Sequence, residues 1–319
     1  MSGAFRPRTP PDARWRQAFG RDDRALVLDL VSLPTEDGHR WDGLLYRPRG
    51  GDPERRRLAV LVVHGSVGNY LAGAPRWASF GLARAGFTVL SINTRMANFG
   101  AFFGGGLLHL TPLDLDPAMA LLRRRGFERI ALFGYSMGAT IVTHYQALRA
   151  DPSVVGLVTL AHPLSLPESL RRRWARFGAR PSYEELEARA REIVGGDGDA
   201  DDIVVVQRAR GPTDAPRDAE IWTYRTWWSC RGPEAPHAVS AERIREVRVP
   251  VAMVQGGVDE LIRPWEGDAL AQLALESGCP RADVEVVPGA DHVFSGREAD
   301  AVLACEAACA RLVAPSLPG

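Results

Sequence analysis

Six consecutive apolar residues, Leu58-Ala59-Val60-Leu61-Val62-Val63, run into His64-Gly65 without one polar side chain among them. Successive side chains of a strand point to opposite faces, so a strand of this composition must be covered on both sides. That excludes a sheet with one wet face at this point and predicts a parallel sheet between layers of helix. The rest of the chain agrees. Short β-branched or Leu-rich runs at 26–31, 41–46, 87–92, 130–133, 154–160, 249–254 and 283–287 alternate with segments of helical period at 75–84, 117–125, 137–149, 265–277 and 297–313. The first two runs precede any helix and predict an antiparallel start. The expectation is an α/β fold: a mostly parallel eight-stranded sheet flanked by helices, with a helical cap inserted after the sixth strand.

The inserted cap is expected where the rhythm breaks, because residues 163–239 are too long for an ordinary strand-to-helix connection. The segment carries helical patterns at 170–176 and 183–193, a Gly195-Gly196-Asp197-Gly198-Asp199 link, and Trp222, Tyr224, Trp227 and Trp228 within one short run. The organisation predicted is a tail over 1–23, a core made of 24–162 and 240–319, and a cap over 163–239.

Composition narrows the function classes. With 39 basic and 39 acidic residues the formal charge is zero, so no global field draws the chain to nucleic acid or to anionic lipid. The first 23 residues hold no apolar run like that of a signal peptide, and no stretch approaches the length of a membrane span. The expectation is a cytoplasmic protein whose partner is a small molecule, with no nucleic acid or membrane. Four cysteines, Cys230, Cys279, Cys305 and Cys309, lack the spacings of a zinc site or a disulfide framework and read as buried thiols. No His-Glu-x-x-His, phosphate loop or dinucleotide fingerprint is present, so neither metal nor cofactor is expected.

The chemistry concentrates at Gly134-Tyr135-Ser136-Met137-Gly138, which stands between the strand at 130–133 and the helix at 137–149. A serine on a sharp strand-to-helix turn presents its hydroxyl above the sheet, and flanking glycines relieve crowding against neighbouring backbone. Met137 would offer its N–H to a developing oxyanion from the first position of the helix. A serine hydroxyl needs a base, and the base needs an acid to hold it. His292 follows the last predicted strand and precedes the last helix; Asp259 lies in the loop after the strand at 249–254, with Glu260 as its immediate rival. Of the other histidines, His64 ends a strand and reads as a brace for the turn, His144 lies inside a helix, and His109 and His162 are conceivable pocket liners.

The order Ser136, Asp259, His292, each after a predicted strand, together with His64-Gly65, resembles the α/β-hydrolase fold superfamily over nearly the whole chain apart from the tail and the cap. The resemblance implies a Ser-His-Asp triad, no cofactor, and a second oxyanion donor from the loop after the third strand, which maps onto Ser66 or Val67. The loop departs from the lipase-like His-Gly-Gly-Gly sequence. Val67, Tyr135, Phe102, Phe103, Trp222, Trp227 and Trp228 are the candidate pocket residues, the cap aromatics being equally readable as the cap's own core. The implied reaction is cleavage of an ester, thioester or amide of a hydrophobic acyl-type molecule through an acyl-enzyme. Acyl transfer or cyclisation with the same triad is an alternative, and a non-catalytic ligand-binding protein of the same fold is a second. The sequence carries nothing that sets an oligomeric state.

Overall fold

The computed structural model describes residues 25–98, 105–196, 198–208 and 218–313. Eight strands form one sheet: β1 (Leu26–Pro34), β2 (Arg40–Pro48), β3 (Leu58–Val63), β4 (Thr88–Ile92), β5 (Arg129–Tyr135), β6 (Val154–Leu160), β10 (Val251–Gly256) and β11 (Ala282–Val287). Their spatial order is β1-β2-β4-β3-β5-β6-β10-β11. From β4 to β11 all neighbours run parallel, while β2 is antiparallel to both β1 and β4. The six apolar residues of β3 lie inside the sheet and are all buried.

The two-residue period of the strands divides the interior into two layers. Leu58, Val60 and Val62 of β3 face one cluster with Ala131 and Phe133 of β5; Ala59, Leu61 and Val63 face the other with Ile130 and Leu132. The first layer is closed by α1 (Gly73–Arg84) and α8 (Glu298–Val313), which approach so closely that a Cβ on Gly81 would come within 2.5 Å of Val302. Cys305 and Cys309 are buried free thiols in that layer. The second is closed by α2 (Pro112–Arg124), α3 (Met137–Arg149) and α7 (Pro264–Glu276). Helix α2 starts five residues earlier than its sequence pattern predicts, with Pro112 in its first turn and Pro117 inside it. Proline at a helix start is common and reads as a boundary, so the second proline conceals the first.

Between β6 and β10 lies the inserted segment. It contains α4 (Leu166–Phe177), α5 (Tyr183–Gly195) and α6 (Tyr224–Arg231), and also a three-stranded antiparallel sheet of β7 (Ala179–Arg180), β8 (Ile203–Arg208) and β9 (Asp218–Thr223). The segment is therefore mixed α/β and not helical alone. Ile203-Val204-Val205-Val206 supplies the reason: Val204 and Val206 are buried while Ile203 and Val205 are exposed, the alternation of a sheet with one covered face. Helix α5 begins with a reciprocal cap between Ser182 and Glu185. No helix among the described residues is long and apolar enough to cross a membrane.

Candidate active site

The site is assembled at the carboxyl edge of the parallel strands. Ser136 stands between β5 and α3 with φ +52° and ψ −119°, a conformation that L-residues rarely adopt, and its N–H donates to the Leu160 carbonyl at 2.8 Å. The neighbouring glycines make the turn sterically allowed. A Cβ on Gly134 would lie 2.4 Å from the Gly138 carbonyl oxygen, and one on Gly138 would lie 2.3 Å from that of Val63. Both contacts are with backbone, which cannot move aside as a side chain can. The strained serine is thus fixed by its surroundings rather than by its own preference.

Two further loops bring their side chains to it. After β10, Asp259 is buried, and its Oδ1 accepts the N–H groups of Leu261 at 2.8 Å and Ile262 at 2.9 Å. Its other oxygen, Oδ2, lies 2.8 Å from His292 Nδ1. After β11, the His292 loop is tied to the Asp259 loop by Val258 N–H to the Ala290 carbonyl at 2.9 Å. The approach requires Gly256, where a Cβ would fall 2.7 Å from that same carbonyl oxygen. His292 Nε2 lies 3.1 Å from Ser136 Oγ. Asp259 Oδ2 accepts a hydrogen bond from Nδ1–H, which leaves the Nε2 lone pair directed at the serine hydroxyl. Chemically the arrangement can withdraw a proton from Ser136 as its oxygen attacks an electrophile. Glu260, the neighbouring acid, is exposed and pairs instead with Arg176 of the insertion at 3.2 Å.

The loop after β3 packs on the serine from the other side. A Cβ on Gly65 would lie 3.2 Å from Ser136 Cβ and 3.0 Å from the Tyr135 ring. His64 braces the loop: Nε2 accepts the Thr94 N–H at 3.2 Å, so Nδ1 carries the proton and donates to the Gly65 carbonyl at 2.8 Å. Complete burial pushes the His64 pKa down to about 4. Ser66 and Val67 follow, with Val67 at φ +51°. Met137 opens α3, so its N–H has no partner one turn earlier within the helix.

The pocket candidates separate. Val67 and Trp222 line a cleft between the β3 loop and the insertion, together with Arg95, Met96, Ile221 and Thr226. The Tyr135 ring lies against Gly65, and its hydroxyl donates to the His292 carbonyl at 3.1 Å. Trp227 is fully buried inside the insertion beside Tyr183, with ring centroids 5.4 Å apart, and does not line that cleft. The half-buried Trp228 lies under the Arg191 guanidinium at 5.5 Å. Burying a whole indole holds the insertion together at the expense of a wall for the cleft. Phe102 and Phe103 lie outside the described residues. His162 is sealed at the end of β6, where burial pushes its pKa down to about 3, and neither ring nitrogen has a hydrogen-bond partner. Among the described residues no group of three His, Cys, Asp or Glu side chains is arranged to ligate a metal. One side chain had no sequence signal: Arg231, whose Nη2 donates to Ser66 Oγ at 2.8 Å. A single arginine among 39 basic residues has nothing in its local sequence to mark it.

Residues 60–305 match the Alpha/beta hydrolase family, most of the described core and the insertion included. The chain belongs to that family. Chloroplastic tuliposide A-converting enzyme 2 of Tulipa gesneriana is 32% identical over 137 residues, 38% of this chain and 35% of that protein. Ethyl acetate hydrolase of Pseudomonas putida is 27% identical over 176 residues, 50% of this chain and 52% of that protein. The chain therefore matches about half or less of the length of these curated relatives. Among solved structures, Est1E from Butyrivibrio proteoclasticus with ferulic acid bound superposes with a TM-score of 0.64 at 17% identity, covering 89% of this chain and all of that one, a likeness of fold.

Proposed function

We propose that this α/β hydrolase cleaves an ester of a hydrophobic acyl-type small molecule through an acyl-enzyme on Ser136. The observation that carries the reading is the continuous relay from Ser136 Oγ to His292 Nε2, 3.1 Å, and from His292 Nδ1 to Asp259 Oδ2, 2.8 Å. Ser136 Oγ bonds to the carbonyl carbon while its proton passes to His292 Nε2. The negative charge on the carbonyl oxygen is taken by the N–H groups of Met137 and Ser66. The leaving alkoxide then departs with the proton from Nε2, and water attacks the acyl-enzyme as His292 acts again as base. Asp259 stays ionised throughout, fixing the tautomer and stabilising the imidazolium. Among ester, thioester and amide, the ester is favoured by the relative whose name specifies the hydrolysis of ethyl acetate. Val67 and Trp222 form the substrate side of the cleft in this reading, Tyr135 backs the Gly65 and His292 loops, and the expected partner is the small-molecule substrate.

A fluorophosphonate probe tests the nucleophile. The wild-type chain should become covalently labelled, and Ser136→Ala should not. Folded wild type that resists labelling and turns over no ester would remove the acyl-enzyme mechanism.

A further inference from the structure

Arg231 closes α6 at the wall of the insertion and is only 7% exposed. Three observations fix its surroundings. Its backbone carbonyl accepts the Tyr183 hydroxyl at 2.8 Å, its guanidinium carbon lies 5.9 Å from the Trp222 ring centroid, and its Nη2 donates to Ser66 Oγ at 2.8 Å. Its Nε is sealed from solvent with no hydrogen-bond partner. Ser66 directly follows Gly65, whose backbone packs against Ser136, so Arg231 bonds to the same loop that packs on the proposed nucleophile.

The charge of Arg231 is unmatched, in contrast to its neighbours. Arg95, which lines the cleft beside Val67 and Trp222, is paired with Asp114 at 2.8 Å and Asp37 at 2.9 Å. Glu220, the buried carboxylate near Trp222, is engaged by Arg173 at 3.6 Å and by the Trp222 indole at 3.1 Å. Among the described residues no carboxylate forms an ion pair with Arg231; the polar partner of its guanidinium is a neutral hydroxyl. Guanidinium does not give up its proton inside proteins, and an uncompensated buried cation is costly. A fork of N–H donors held in a water-poor wall is matched in shape and charge by a carboxylate.

We propose that Arg231 is a specificity residue that binds a carboxylate of the substrate, so that the preferred esters are anionic, with a carboxylate a few bonds from the scissile carbonyl. This rests on the ester hydrolysis assigned to Ser136 and names the class of ester. The anion would complete the ion pair that the described residues leave open, and Ser66 Oγ would hold the guanidinium toward it.

Matched pairs of esters test the proposal. Monomethyl adipate against methyl hexanoate places the carboxylate on the acyl side, and acetoxyacetate against ethyl acetate places it on the alcohol side. In wild type, at least one anionic member should exceed its neutral twin in kcat/KM by about tenfold to a hundredfold, mainly through KM, as a hydrogen-bonded charge pair provides. Arg231→Met should collapse that ratio, and Arg231→Lys should keep part of it. The ratio in wild type is decisive even where a variant fails to fold. Neutral esters favoured in both pairs would overturn the proposal. So would an Arg231→Met variant that slows both members of a pair equally, the result expected of an arginine that only fastens the insertion to the Ser66 loop. Absence of all ester turnover together with absence of fluorophosphonate labelling would instead remove the hydrolase reading, and this inference with it.

Discussion

The carboxyl edge of the sheet and the insertion that contacts it are held in place by different means. At the edge, backbone does the positioning: Ser136 N–H to Leu160, Val258 N–H to Ala290, and the Leu261 and Ile262 N–H groups to Asp259. The insertion is attached through side chains: Arg172 to Glu266, Arg176 to Glu260, Arg231 to Ser66, and a Thr140 to Ser240 hydroxyl pair at 3.0 Å. The two backbone-to-backbone bonds, at Ser136 and Val258, survive substitution of the side chains they position, whereas those to Asp259 end on its Oδ1. Chemistry and stability should therefore separate at the edge and be mixed in the insertion.

His292→Ala is the strongest way to test that separation. It removes the base while leaving the Val258 to Ala290 bond that ties its loop to the Asp259 loop. Ester turnover should fall by about 10⁶-fold, as loss of the base of such a triad does. The urea midpoint should stay close to wild type. A large drop in stability would show that the loop depends on the imidazole, and that the edge is no more independent of its side chains than the insertion.

The converse applies to Trp227. Its indole is fully buried within the insertion, so Trp227→Ala should cost about 3–5 kcal/mol in denaturant unfolding. Any rise in KM should follow from that loosening. A variant of wild-type stability with altered preference for acyl chain length would instead make Trp227 a wall of the cleft.

These two residues also mark what a sequence can carry. Ser136, Asp259 and His292 each follow a strand of the parallel sheet, and strand periodicity and chain order bring such positions to one edge without knowledge of any side-chain contact. The insertion has no such frame. The four aromatics at 222–228 are alike in the sequence, yet Trp222 lines the cleft, Trp227 is core and Trp228 is covered by Arg191. Their fates depend on β8 and β9, whose pairing crosses a connection that no local pattern specifies. The run Ile203-Val204-Val205-Val206 lies within a segment read as helical and is missed there, and its partner β9 was legible only as part of an aromatic stretch. Arg231 was illegible because what distinguishes it, a bond to Ser66 across the fold and no ion pair with a carboxylate among the described residues, exists only in three dimensions.

Acid should loosen the edge through His64 and His162, which follow β3 and β6. Burial depresses their pKa values to about 4 and about 3, below the ~6.5 of an exposed histidine. Both are neutral in the native state, so the unfolded chain binds more protons as pH falls below about 6.5. Stability is complete above that pH and declines toward the native values by up to about 1.4 kcal/mol per pH unit for each ring. Urea unfolding between pH 7 and pH 5 measures the slope. His162→Leu should lower it by one such increment, because neither nitrogen of that ring makes a hydrogen bond that the variant would lose. An unchanged slope would assign the acid sensitivity elsewhere.

The smallest effect lies at the seam between the two regions, where one helix of the insertion offers two arginines to two glutamates of the core. Arg172 meets Glu266, which is fully buried and also accepts the Leu164 N–H at 2.9 Å and the Arg263 N–H at 3.1 Å. Arg176 meets Glu260 with both side chains more than half exposed. Water and salt screen the second pair, and ordering two long side chains offsets much of what attraction remains. A double-mutant cycle on Arg176→Ala and Glu260→Ala should give a coupling of about 0.2–1 kcal/mol that fades as salt is raised. Because Glu260 is next to Asp259, the cycle reads function as well. If the exposed pair only fastens the rim, kcat should be additive across the cycle. A coupling in kcat larger than that in stability would mean that the insertion acts on the acid loop through this contact, and that the two regions work as one unit.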